Sequence, residues 1–222
     1  MDKILFTENY ENCKTGNLVS ISGDKGKKVG YAGNTYKAFA PKLGFWMTWH
    51  DNLGTWSKEK SDYFYIEHYY DEVLSKLDPM DVMEELGNMP ILLCYEDNMD
   101  FCHRHLVAFW LELMLGIKTY EIKMNDKLAT LEVLSRPEYL KNILEDVIRN
   151  KTNLNGYSSI SAAYYYNKSE YLSNKFLDDM CEHKRIDDSD CKKLDYADSL
   201  KNKAKLIEST YVHDKQKQHI RK

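Results

Sequence analysis

The sequence predicts an α/β protein: a three-layer, Rossmann-like domain with a mainly parallel sheet over residues 1–150, then a helical extension with a basic tail over 151–222. Three observations lead there. Ile91-Leu92-Leu93-Cys94 is a short apolar run of the kind that fills a strand buried on both faces. A polar loop follows it, and then Leu106, Val107, Trp110, Leu113 and Met114 recur at helical spacing. Strand-like segments alternate with amphipathic helices up to about residue 150, whereas from Ile160 onward only helical patterns occur.

In chain order, Asn17-Leu18-Val19-Ser20-Ile21-Ser22 reads as the first strand and Gly23–Lys28 as a basic turn. That turn is no phosphate loop, because only two residues separate Gly23 from Gly26 and Lys27 precedes Lys28 rather than Ser or Thr. Gly30–Pro41 reads as a loop and a short helix closed by Pro41, and Phe45–His50 fits either a strand or a helix. Ser61 to Leu77 is a helix with Tyr63, Ile66, Tyr70, Val73, Leu74 and Leu77 on its apolar face. Asp78 caps the next helix with Pro79 at its first position, and Gly87 ends it. The helix after the Ile91 strand is expected to begin near Asp100 or Phe101, capped by Asp100 or Asn98, and to stop at Gly116. Ile117–Lys123 is the following strand, Leu128–Leu134 is ambiguous, and Ser135 caps a helix over Arg136–Arg149. A polar stretch over 150–159 leads to two further helices. The strands near 17–22, 91–95 and 117–123 are expected to be parallel and adjacent.

Composition narrows the class. Over 222 residues the net charge is -4, with 43% hydrophobic and 30% charged residues, which is ordinary for a globular protein. Residues 198–222 carry +4 and the remainder -8, which disfavours a broad nucleic-acid surface before residue 198. Met1-Asp2-Lys3 is followed only by Ile4-Leu5-Phe6, too short for a secretory leader, and no run has the length of a membrane span. Five cysteines at irregular spacing (Cys13, Cys94, Cys102, Cys181, Cys191) point to free thiols in a reducing cytoplasm.

The chemistry concentrates between Cys94 and Arg104. A strand's carboxyl end followed by a helix start is where open α/β sheets bind ligands, and the first turn of a helix favours an anion. Cys102 is the candidate nucleophile, with His103 and Glu96 as catalytic partners. Arg104 is the candidate anion anchor, and Ser22, Lys25 and Tyr95 complete the candidate ligand-binding set, the turn after strand one forming the opposite wall. Ten residues separate Cys94 from Arg104, which does not fit the spacing of cysteine phosphatases or sulfurtransferases.

On these residues the first half of the chain resembles the domain of unknown function 488 family. Val19-Ser20-Ile21-Ser22 with its turn, Tyr36-Lys37-Ala38-Phe39-Ala40-Pro41, and Leu92-Leu93-Cys94-Tyr95-Glu96 followed by Phe101-Cys102-His103-Arg104 and Trp110-Leu111 carry the likeness, over about residues 17–123. It implies a small α/β fold with a parallel sheet and a site at the Cys-His-Arg turn, without a settled activity. Related chains often place an arginine just after strand one, where Gly23 and Asp24 stand here, so that Lys25, Lys27 or Lys28 would take its part.

The expected function is that of a candidate α/β enzyme binding a small phosphate- or nucleotide-like anion at the Cys-His-Arg helix start. Two alternatives stand beside it. One is a metal centre on Cys94, Cys102 and His103 or His105, with Glu96 or His50 as a further ligand. The other is an interaction module acting through the C-terminal helices on a protein or nucleic acid. The sequence names no cofactor.

Overall fold

Among the described residues of the computed structural model there are seven α-helices and six strands, the strands forming one sheet in the order β3-β2-β4-β1-β5-β6. Residues 3–12, 14–125, 130–183 and 188–220 are described. Cys13 lies outside them, as does the side chain of Cys181. The strands are β1 (Ile4–Asn9), β2 (Asn17–Ser20), β3 (Asn34–Thr35), β4 (Pro90–Cys94), β5 (Lys118–Asn125) and β6 (Thr130–Leu134). The helices are α1 (Leu43–Asp51), α2 (Lys58–Glu72), α3 (Pro79–Glu85), α4 (His103–Leu115), α5 (Tyr139–Lys151), α6 (Ile160–His183) and α7 (Asp188–Ile220). All sheet pairings are parallel except β5 with β6. The chain is therefore α/β with a mainly parallel, Rossmann-like sheet, and among the described residues no helix is long and apolar enough to cross a membrane.

The expected adjacency of the Ile91 and Ile117 strands is corrected by β1, which lies between them. Phe6 pairs with Ile91 on one side and with Tyr120 on the other. Ile4-Leu5-Phe6, expected to be only a short apolar start, is the beginning of this central strand. Flanked on both edges, β1 buries polar residues too: Thr7, Glu8 and Asn9 are all buried. Phe6, Tyr10, Ile91, Leu93 and Ile122 form one apolar cluster across three adjacent strands.

Several helix boundaries follow from local chemistry. Asp78 accepts hydrogen bonds from the N–H groups of Met80 and Asp81, and Pro79 opens α3. Gly116 ends α4 in the left-handed conformation, φ 68°, and its N–H donates to Glu112 O at 2.9 Å. Phe45–His50, left open between strand and helix, is helical within α1. The segment expected as one helix over Ser61–Leu77 starts earlier, at Lys58 behind the cap Ser57, and its end is a separate 3-10 turn over Leu74–Lys76. Ser135 is not the cap of α5, which begins at Tyr139 after turn bonds at Arg136 and Pro137.

The chain divides into two units, Met1–Asn150 and Lys151–Lys222. In the first, α4 packs against β1, β4 and β5. In the second, α6 and α7 pack against each other. Ala162, Ala163, Tyr165, Phe176, Ala197, Leu200 and Ala204 are buried there. Ser169 donates to Ala197 O at 2.7 Å, and Glu208 of α7 accepts from the N–H groups of Ser158 and Ser159 before α6.

Candidate metal centre

The carboxyl ends of β2, β4 and β1 lie side by side, and β4 runs into an eight-residue loop that ends at α4. The cap of α4 is Cys102 itself, not Asp100 or Asn98 as expected. Asp100 instead closes a turn, its N–H donating to Asp97 O. Cys102 is extended (φ -144°, ψ 141°), its carbonyl accepts from His105 N–H, and its Sγ accepts from Arg104 N–H at 3.4 Å. A thiol in the capping position directs its sulfur back over the helix start, toward the end of β4.

That geometry gathers three donors. Cys94 Sγ, Cys102 Sγ and a ring nitrogen of His103 all lie within 4.8 Å of one another. Cys94 Sγ is 3.8 Å from His103 Nδ1. The three residues are only 1%, 2% and 8% exposed. The other ring nitrogen, Nε2, lies 3.2 Å from Ile21 O, at the end of β2. Cys94 Sγ is also 3.9 Å from this Nε2; with the proton on Nε2 and donated to that carbonyl, the lone pair of Nδ1 is left for a ligand. Metal-ligating histidines are oriented by such a bond. Around a zinc ion, S and N donors at about 2.3 and 2.0–2.1 Å stand about 3.6 Å apart, and two sulfurs about 3.8 Å apart. The Cys94–His103 pair is already at that separation.

Glu96 borders the group. Cys102 Sγ donates to Glu96 Oε2 at 2.9 Å. Burial pushes the Glu96 carboxyl up, but the thiols of Cys102 and Cys94 hold it below the ordinary value. Burial pushes the Cys102 thiol well up, against the opposing pull of Arg104. The free thiolate that a nucleophile needs is thus disfavoured here, whereas a bound cation supplies the compensating charge. For His103, burial lowers the pKa, but Cys102, Glu96 and the Ile21 carbonyl together raise it.

Arg104 stands where the sequence predicts, but its guanidinium is committed elsewhere. It is fully buried, and Nη2 and Nε donate to Glu121 Oε1 at 2.8 and 3.2 Å. Nη1 donates to Glu96 O at 2.6 Å and Nη2 to Asp97 O at 3.0 Å. The expectation of Arg104 as a free anion anchor is corrected accordingly: its fork holds a buried carboxylate and two loop carbonyls. Thr7 Oγ1 donates to Glu121 Oε2 at 2.5 Å. Burial raises the Glu121 carboxyl, yet His105 and Arg104 outweigh it and bring its pKa down to about 2. His105 Nε2 lies 3.3 Å from Glu121 Oε2 but outside hydrogen-bonding geometry, so proximity rather than a directed bond describes that contact.

Ser22 and Tyr95 are brought together, but on an acidic partner. Tyr95 OH donates to Asp24 at 2.6 Å, Ser22 Oγ donates to Asp24 Oδ1 at 2.9 Å, and Gly26 N–H donates to both Ser22 and Asp24. Lys25 sits in this turn with φ 64°, its N–H on Ser22 O. The wall expected to receive an anion therefore centres on a carboxylate. His50 is on α1, stacked with Trp46 and mostly exposed, and is not among the three gathered donors.

Sequence reasoning missed Glu121, Glu8 and Asp24. Glu8 Oε1 accepts from Asn9 N–H at 2.9 Å, Oε2 has no partner among the described residues, and burial raises its pKa to about 7. Only the placing of β1 in the centre of the sheet would have flagged it. No family model, curated protein or solved structure matches this chain.

Proposed function

We propose that this chain is a metal-binding α/β protein whose ion, a zinc-like soft divalent cation, is held by Cys94, Cys102 and His103. One observation carries the reading: three buried soft donors converge within 4.8 Å, with the remaining histidine nitrogen on a backbone carbonyl. Binding would release the two thiol protons and fix the loop between β4 and α4. The alternative of a small phosphate- or nucleotide-like ligand has weaker support, because such an anion would have to displace Glu121 from Arg104 and approach Glu96, Asp97 and Asp24. The likeness to the domain of unknown function 488 family belongs to this proposal, since Cys94, Glu96 and the Cys102-His103-Arg104 turn carry it. A reducing compartment such as the cytoplasm suits the free thiols of Cys94, Cys102 and Cys191.

Zinc competition against a chromophoric chelator tests the reading. Wild-type protein should take up one ion per chain. Cys94→Ser, Cys102→Ser and His103→Gln should each abolish tight uptake. Undiminished binding in all three variants would remove the proposal.

A further inference from the structure

We propose that Glu96 is the fourth ligand of this centre, so that the loaded site is closed by protein atoms and acts as a clamp on the fold. The inference rests on the metal-binding reading above and adds to it the coordination and the role of the ion. Glu96 lies two residues after Cys94, in the bend that follows β4. Its Oε2 is 2.9 Å from Cys102 Sγ. A carboxylate oxygen and a thiolate sharing a zinc ion stand about 3.5 Å apart. Glu96 stands just outside the three donors gathered within 4.8 Å, so its carboxylate reaches the fourth corner by opening the Cys102 contact and turning toward His103.

Cys94, Cys102 and His103 are buried, whereas Glu96 is half-buried. Glu96 thus stands at the more exposed edge of the group. Its own backbone is fixed, because Arg104 Nη1 holds the Glu96 carbonyl at 2.6 Å. Four protein ligands leave no position for water, the arrangement of structural rather than catalytic zinc sites. All four lie within residues 94–103, so the ion would join the end of β4 to the start of α4 across one loop. In the metal-free protein the same carboxylate accepts the Cys102 thiol proton. On loading, that proton and the Cys94 proton leave to solvent, and two S–metal bonds, one N–metal bond and one O–metal bond form.

Cobalt(II) substitution of the full chain, read by visible absorption, tests this. Wild-type protein should show the intense bands of a tetrahedral thiolate site, and added azide should not change them. Glu96→Gln should bind cobalt about 10–100-fold more weakly, and its bands should shift with azide as the vacated position is filled. Glu96→Ala gives the same reading by a second route. Azide-sensitive bands in the wild type, or a Glu96→Gln spectrum identical to wild type in both position and azide response, would overturn the proposal while leaving the three-residue site intact. Failure of the wild type to take up cobalt would instead overturn the metal reading itself.

Discussion

Arg104→Ala distinguishes a structural arginine from a ligand anchor. The wild-type guanidinium is fully buried and directs its donors to Glu121, Glu96 O and Asp97 O. Truncation leaves the Glu121 carboxyl in a site with no exposure, with Thr7 donating to it and His105 beside it. Breaking a buried pair by removing one partner costs about 3–5 kcal/mol. For a chain of this size, that corresponds to a fall in Tm of roughly 6–20 °C. Urea denaturation followed by far-UV circular dichroism measures it directly. Arg104→Lys should recover little, because one ammonium cannot span the carboxylate and both carbonyls. The paired replacement Arg104→Met with Glu121→Leu should be far milder than either truncation, since neither charge is then left alone. An Arg104→Ala protein within 1 kcal/mol of wild type would refute this reasoning.

Four further outcomes follow from the same structure. Glu121 has its pKa lowered from 4.5 to about 2 in the folded state, so its stabilisation is present above pH 4.5 and is lost as the pH falls toward 2. Glu8, raised to about 7, has the opposite sign: stability declines as the pH rises from 4.5 to 7, and Glu8→Gln should remove that decline in pH-dependent urea titrations. Gly26→Ala should destabilise by about 2 kcal/mol in the same assay, because its φ is +77° and the new Cβ would stand 2.7 Å from Tyr31 Cβ and 2.9 Å from Tyr10 Cε1. In alkylation mapped by mass spectrometry, exposed Cys191 should react promptly while buried Cys94 and Cys102 stay protected; equal rates for Cys102 and Cys191 would contradict the burial.

What was legible in the sequence was local. The run Ile91–Cys94, a helix expected from Asp100 or Phe101 and found from His103, and the Asp78-Pro79 start each depend on residues a few positions apart, and so does the gathering of Cys94, Cys102 and His103. Strand β1 was not legible, because Thr7-Glu8-Asn9 interrupts its apolar character. Those polar groups are tolerated through bonds to Glu121, to a neighbouring N–H and to Asp97, none of which a short window shows. The role of Arg104 was hidden for the same reason. Its partner Glu121 is 17 residues away on β5, and β5 lies beyond β1 rather than beside β4. An arginine in the first turn of a helix suggests an anion site, and here the anion is a carboxylate of the chain itself. Adjacent Cys102 and His103 would point apart within a helix, but Cys102 is the extended cap, which lets both side chains reach one point.

The central claim is that Cys94, Cys102 and His103 hold a metal ion. Elemental analysis of protein purified under reducing conditions, without a histidine tag or added chelator, tests it most directly. About one equivalent of zinc or a similar soft divalent metal is expected per chain, and none in the Cys102→Ser variant. A wild-type protein that is folded, fully reduced and free of metal, and that takes up none from a zinc-containing buffer, would contradict it.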